Sequence, residues 1–424
     1  MLDIKFIREN VDVLRKTAKD KNIEVDLDRL LELDKKRRNL IQKVETIKAA
    51  KNEASKAISK LDGTEKEKAI AEMQQQGDDE KILNEELTKI EEEYNTLMLW
   101  VPNPPLPNVP VGEDDSGNVE ERTWGELPKF DFEPKDHVEL GEHLDIIDIP
   151  RGVKLAGSRF YILKGDAVRL EQALLNLALD HLKEKGFTSM SVPVLVQDAA
   201  MYGTSYFPGG EEQAYRIEKD DLNLVGTAEV SVTSYHGGEI LKEEELPKKY
   251  AGISCCFRRE AGTYGKDTHG LYRIHQFQKV EQVIICKNDP EESTKMHQHI
   301  LKNAEEILQK LELPYRVVSV CTGDMGQGQI FKNDIETWMP SRKSYGETHS
   351  CSTFHEFQAR RLNMRYKDSD GKTKFCHTLN NTALATPRIL IPLLEIYQNE
   401  DGSVRVPKVL QPYMNGQTVI KSAQ

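Results

Sequence analysis

Between Leu30 and Leu61, apolar residues return at alternating intervals of three and four: Leu30, Leu33, Leu40, Val44, Ile47, Ala54, Ile58 and Leu61. A helix with a seam of that period buries it against another helix, as a coiled coil. Arg37 and Lys51 take the two remaining seam positions. After a break near Asp62-Gly63-Thr64, a second run carries Leu83, Leu87, Ile90, Tyr94 and Leu97. Two such helices joined by a turn predict an antiparallel hairpin. At ~1.5 Å per residue, some 35 residues give an arm of roughly 50 Å. Gln74-Gln75-Gln76-Gly77 interrupts the second helix, and a kink is expected there.

The two helices differ in charge. The first carries Lys35, Lys36, Arg37, Arg38, Lys43, Lys48, Lys51, Lys56 and Lys60, and the second Asp78, Asp79, Glu80, Glu85, Glu86, Glu91, Glu92 and Glu93. One reading is a dimerisation coiled coil whose basic and acidic faces pair across the hairpin. The other is an arm whose basic helix meets RNA phosphates and reads shape rather than base edges.

Composition limits the remaining choices. A chain of 424 residues holds two or three domains and a large core. With 30% charged and 38% hydrophobic residues and no apolar run near the ~20 residues of a membrane span, it reads as an ordinary soluble protein. The start, MLDIKFIREN, has no signal-peptide core, so a cytoplasmic location is expected. Six cysteines without C-x-x-C spacing predict buried free thiols rather than zinc or disulfides. The net charge of −12 argues against nucleic-acid binding over the whole surface and leaves room for a local basic patch. Val101-Pro-Asn-Pro-Pro-Leu-Pro-Asn-Val-Pro-Val-Gly112 and the acidic residues after it predict a linker over 101–124. It separates an N-terminal domain, 1–100, from an α+β domain, 125–424, with a mostly antiparallel sheet.

The chemistry concentrates between Tyr250 and Val283. Ala251 to Phe257 reads as a strand delivering Arg258-Arg259-Glu260, and a Gly-rich loop with Lys266, Asp267 and His269 follows. Tyr272 to Ile285 returns as a second strand, whose period-two alternation puts Arg273, His275, Phe277, Lys279 and Glu281 on one face. One aromatic among charges of both signs suits a ligand with a flat ring and phosphates. A solvent-facing hairpin with self-paired charges is the alternative. The residues themselves resolve the choice. Phe257-Arg-Arg-Glu260, a loop, and then Gly270-Leu-Tyr-Arg-Ile-His-Gln-Phe-Gln-Lys-Val-Glu281 resemble motif 2 of a class II aminoacyl-tRNA synthetase, in the form found in bacterial seryl-tRNA synthetases.

Other stretches extend this resemblance over nearly the whole chain. Asp166 to Lys185, a long amphipathic helix, and Gly186 to Val196, a strand interrupted by Pro193, resemble motif 1, which builds a dimer interface. Gly226-Thr227-Ala228-Glu229 reads locally as a helix N-cap and, by resemblance, as the loop that closes over serine. Asp334-Ile-Glu-Thr-Trp-Met-Pro340, Glu347-Thr348-His349-Ser350-Cys-Ser352 and Glu356-Phe-Gln-Ala-Arg-Arg361 come next. His377-Thr-Leu-Asn-Asn-Thr-Ala-Leu-Ala-Thr-Pro-Arg388 has the form of motif 3. The sequence departs from the family at three points: Ser205 in Met201–Pro208, where Gly-Thr-Gly is usual, His349 within Glu-x-Ser-Ser, and Asn381 where glycine is usual before Thr382.

The resemblance implies a homodimeric, ATP-dependent, AMP-forming ligase that joins serine to tRNA(Ser), with tRNA(Sec) a further acceptor to test. It implies ATP contacts from Arg258, Arg259, Glu260, Arg273, Phe277, Glu347, Thr348, His349, Ser350 and Arg388, with Arg258 and Arg388 catalytic. Serine would meet Thr227, Ala228, Glu229, Arg258, Glu281 and Thr382. Glu347 and Ser350 would hold Mg²⁺, with no zinc. Arg37, Arg38, Lys43, Lys48 and Lys51 are the candidate tRNA contacts. Two other classes fit parts of the pattern. One is a paralogue activating serine or an analogue for a non-tRNA acceptor, and the other is a non-catalytic tRNA-binding or regulatory protein.

Overall fold

The computed structural model describes residues 1–58, 61–262 and 269–422 and divides into two units, Met1–Pro102 and Asn103–Gln424. Lys60, Lys266 and Asp267 lie outside the described residues.

In the first unit, α1 (Ile4–Glu9) and α2 (Val11–Asp20) precede two long helices, α3 (Leu27–Ile58) and α4 (Gly63–Trp100). Ile7, Leu14, Leu27, Leu30, Leu33, Tyr94, Met98 and Val101 form one buried cluster at the base. Farther along, Leu40 and Val44 are buried in the seam. At 32 residues, α3 extends about 48 Å. Ion pairs cross the hairpin from Arg29 to Glu93 at 2.6 Å, Arg37 to Glu91 at 2.9 Å and Lys51 to Glu80 at 2.8 Å. The expected interruption is absent, because α4 runs unbroken through Gln74–Gly77. One glycine costs a helix only about 1 kcal/mol. A Cβ added at Gly77 would lie 3.7 Å from the Lys51 ammonium.

In the second unit, eight strands form one sheet: β1 (Val119–Trp124), β2 (Thr188–Ser191), β3 (Lys248–Phe257), β4 (Gln276–Cys286), β5 (Tyr315–Ser319), β6 (Phe331–Met339), β7 (Ser344–His355) and β8 (His377–Thr386). The spatial order is β1-β5-β6-β7-β8-β4-β3-β2, antiparallel except where edge strand β2 lies parallel to β3. Pro193 marks the point where the chain leaves that edge, and Leu195–Val196 pairs instead in a small separate sheet. Helices α5 (Asp166–Glu184), α6 (Ala228–Ser234), α7 (Pro290–Lys310), α8 (Phe357–Arg361) and α9 (Leu390–Tyr397) complete the parts used below.

The stretch expected as a linker is built into this unit. Asn103 donates its amide to Gly328 O and Phe354 O, both at 3.0 Å, and Val109 is buried with Val318, Val320 and Met325. Val119–Trp124 closes one edge of the sheet. Prolines make this run stiff and extended, which suits lying along a surface as well as bridging a gap. The second strand of the central hairpin is also shorter than expected, starting at Gln276. The His275 N–H bonds to Arg159 O and its ring packs against Phe160, so the alternation that would carry Arg273 and His275 stops at the strand's start.

Alternation along β4 and β8 sets the two faces of the sheet. Val280, Ile284, Leu379 and Ala383 join Ile300, Leu301 and Ala304 of α7 in the main core. Gln282 donates to Ile300 O at 3.0 Å and accepts from Asn303 at 2.8 Å, so the polar residue on that face is satisfied. Lys279, Glu281, Asn380 and Thr382 turn to the opposite, concave face. Helix α6 is brought close by Gly252, whose missing Cβ would lie 2.7 Å from Val232 and 3.0 Å from Ala228. Gly252→Val is therefore expected to destabilise the chain by about 1–3 kcal/mol, read as a lower urea midpoint.

Candidate active site

The concave face holds a pocket of about 160 Å³ in which Arg258, Glu260, Lys279 and Glu281 of motif 2 and Arg388 of motif 3 converge with Glu229 and Glu347. Arg258, at the end of β3, donates Nε to Gly226 O at 3.2 Å and lies 5.3 Å above the Phe277 ring. Arg388 donates to Tyr272 O at 3.2 Å and Glu347 O at 2.9 Å, and lies 4.5 Å over the Tyr272 ring. Both guanidiniums are thus oriented by backbone carbonyls and an aromatic face, a geometry suited to anionic groups. Arg273 reaches Glu260 at 3.4 Å. Burial works to raise the Glu347 carboxyl, but Arg388, Lys332, Arg258 and Arg273 together hold it below its ordinary value. Glu347, Thr348 and Ser350 line this half, so oxygen ligands stand beside a cluster of cations.

The other part of the pocket is acid-rich. Glu281 is buried against the Lys279 ammonium and accepts from Thr227 Oγ1 at 3.3 Å. The Thr227 hydroxyl also accepts from Glu229 N at 3.2 Å, so the same side chain caps α6 and faces the pocket. Glu229 accepts from Gln358 Nε2 at 2.8 Å. Burial first, and the charge of Glu281 second, push the Glu229 carboxyl up to about 7. The Tyr206 ring, Asn380 and Thr382 close this end. Two carboxylates around a small cavity suit a ligand with an ammonium group and a hydroxyl. Because Glu229 is ionised only above about 7, amine binding is expected to weaken as pH falls through that value. A serine KM rising toward lower pH with ATP KM unchanged is the check.

Of the residues singled out in the sequence, Thr227, Glu229, Arg258, Glu260, Phe277, Glu281, Glu347, Thr348, Ser350, Thr382 and Arg388 line the pocket together. Arg273 is not among the lining residues and meets the pocket through Glu260, and four other singled-out residues have side chains directed elsewhere. Ala228 packs on Gly252 beneath α6, and Arg259 lies over the Tyr215 ring. His349 is buried with its Nδ1 2.8 Å from Thr348 Oγ1, and burial pushes its imidazole down to about 4. Asn381 points to the helix side and donates to Ile300 O at 2.7 Å. Two of the three departures from the family pattern therefore sit behind the pocket. Ser205 is the third, a non-glycine residue held at φ 68°, where glycine is easiest. Lys279 was visible in the polar alternation of β4 but not assigned a role. Tyr206 and Asn380 carried no spacing that would mark them as pocket residues.

On the arm, Arg37 and Lys51 turn into the seam, and Arg38 pairs with buried Asp34 at 3.0 Å. Lys43 and Lys48 are exposed.

A largely antiparallel sheet carrying motifs 2 and 3 around this pocket defines a class II aminoacyl-tRNA synthetase, and residues 214–397 match the tRNA synthetase class II core domain (G, H, P, S and T). Residues 1–105 match the seryl-tRNA synthetase N-terminal domain. A serine–tRNA ligase of Deinococcus radiodurans is 48% identical over 420 residues, covering 99% of each chain. The seryl-tRNA synthetase of Pyrococcus horikoshii, solved with ATP, superposes with a TM-score of 0.91 at 38% identity, with 100% of each chain covered. The cytoplasmic serine–tRNA ligase of Naegleria fowleri, solved with AMP, gives 0.87 at 32% identity, covering 100% of this chain and 99% of that one. The chain belongs to the seryl-tRNA synthetase family.

Proposed function

We propose that this serine–tRNA ligase activates serine in the described pocket, with the reacting atoms between the arginine cluster and the acidic end. The observation that carries the assignment is that one pocket is lined by Arg258 together with Glu260 and Phe277 and with Glu229 and Glu281. Phe277 stacks the adenine ring and Glu260 accepts from its amino group. Glu229 and Glu281 receive the ammonium and hydroxyl of serine, with Thr227 and Thr382 beside them. Arg258 bridges the serine carboxylate and the α-phosphate, while Arg273 and Arg388 grip the outer phosphates. A carboxylate oxygen of serine attacks the α-phosphorus, the bond to the β-phosphate oxygen breaks, and pyrophosphate leaves. The 3′-terminal hydroxyl of tRNA then attacks the carbonyl carbon and AMP departs. No side chain acts as a covalent nucleophile, and orientation with charge neutralisation supplies the rate.

Glu347 and Ser350 offer two oxygens on the phosphate side, the protein share that Mg²⁺ takes when phosphates and water complete its shell. Bound there, the ion would neutralise phosphate charge. The acceptor is tRNA(Ser), met through the arm, in the cytoplasm where ribosomes use the product. Exposed Lys43 and Lys48 are the best-placed contacts. Lys43→Glu with Lys48→Glu is expected to raise the tRNA KM by about tenfold or more while leaving serine-dependent ATP–pyrophosphate exchange unchanged. Exposed Val153 and Leu155, with Val168 at the start of α5, support a homodimer contact.

The deciding experiment is ATP–pyrophosphate exchange with serine against alanine, threonine and glycine, followed by charging of tRNA(Ser) and tRNA(Sec). Exchange with serine alone, followed by charging, supports the assignment. Exchange without charging supports a paralogue with another acceptor, a reading that His349 and Asn381 no longer favour because both face away from the pocket. Absence of exchange with all four would leave only a tRNA-binding role.

A further inference from the structure

We infer that Gln358 is a positioning residue for the amino-acid end of the pocket, holding the Glu229 carboxylate and the Met201–Phe207 segment in one arrangement. The inference rests on the reading of Glu229 as the acceptor of the serine ammonium. Gln358 lies on α8, outside the pocket lining, and is completely buried. Its amide donates to Glu229 Oε1 at 2.8 Å and to Thr204 O at 3.0 Å, and its oxygen accepts from Thr378 Oγ1 at 2.6 Å. Two acceptors at one end and a hydroxyl at the other fix which way the amide faces. Glutamate at this position would set a third carboxyl beside Glu229, and methionine would supply no donor.

The same helix fastens the rest of the segment. Arg361 donates to Tyr202 O and Phe207 O, both at 2.9 Å, on either side of the ring of Tyr206 that lines the pocket. The segment approaches α8 so closely that a Cβ on Gly203 would lie 2.2 Å from Leu362. Between these anchors Ser205 is held in the left-handed region, a conformation that persists where surrounding contacts over-determine it. One short helix therefore sets both the charge and the wall of the amino-acid site. Glu229 also faces Glu281 and Lys279 from β4, Arg258 from β3 and Tyr206 from the segment. Among these, the Gln358 amide is the strongest influence favouring the ionised carboxylate.

The test uses the full-length protein in serine-dependent ATP–pyrophosphate exchange, comparing Gln358→Met, Gln358→Glu and Glu229→Gln. Gln358→Met is expected to raise serine KM about tenfold or more, with ATP KM and kcat changed by no more than about threefold. Its serine KM should fall as pH rises above 7, because Glu229 without its donor titrates higher than in the parent. Gln358→Glu, equal in size, should show the same split with a larger pH displacement, and it decides the matter if the methionine variant does not fold. Equal losses in serine KM, ATP KM and kcat would overturn the inference in favour of a general packing role. A serine KM sensitive to Glu229→Gln but not to either Gln358 variant would overturn it alone. Insensitivity to Glu229→Gln would overturn the underlying reading and the inference together.

Discussion

Arg258→Ala is expected to lower serine-dependent ATP–pyrophosphate exchange by about a hundredfold to a thousandfold, the scale of losing an oriented donor aimed at developing charge. The guanidinium is oriented by Gly226 O and the Phe277 ring, fixed protein groups that limit the reorganisation it needs during reaction. Its loss also removes one of the cations that keep Glu347 ionised. Arg258→Lys should rescue little, because a point charge on a flexible stem cannot span two anionic groups at once. The thermal midpoint of both variants should stay within a few degrees of the parent, which separates lost chemistry from lost fold. Exchange within tenfold of the parent would remove Arg258 from the reacting centre.

Glu281→Ala is expected to be the most destabilising change in the pocket, costing about 3–5 kcal/mol in a urea titration. Glu281 and Lys279 are 2% and 5% exposed and are paired directly. Truncating the carboxylate leaves an ammonium buried without its partner, and that uncompensated charge carries most of the cost. Thr227 Oγ1 loses its acceptor at the same time. Lys279→Met with Glu281→Leu should regain most of the stability and none of the serine-dependent exchange. If the double variant were no more stable than Glu281→Ala alone, the cost would lie in the packing of β4 instead.

Much of this organisation was legible in the sequence because it repeats with a local period. The three-and-four seam from Leu30 to Leu61 predicted α3 and its partner, and the alternation Phe277-Lys279-Glu281 predicted one polar face of β4. Arginines and carboxylates at motif spacing pointed to the pocket before its walls were known. What was hidden depends on contacts between distant segments. No local pattern shows that Asn103 is anchored by Gly328 and Phe354, so residues 101–124 read as a linker. Gln358 lies 129 residues from Glu229, and only the fold brings them together. Gly77 reads as a helix interruption, yet α4 runs through it, because one glycine costs a helix only about 1 kcal/mol.

Strand β8 separates two kinds of constraint by residue parity. Asn380 and Thr382 face the pocket, whereas Leu379, Asn381 and Ala383 face α7 and the core. A change at 381 is therefore screened by packing against α7 rather than by the pocket, so asparagine there leaves the pocket lining unaltered. The even-numbered neighbours lack that freedom. Drift along this strand can accumulate on one side while specificity on the other stays fixed, so divergence in sequence here is a poor measure of divergence in substrate.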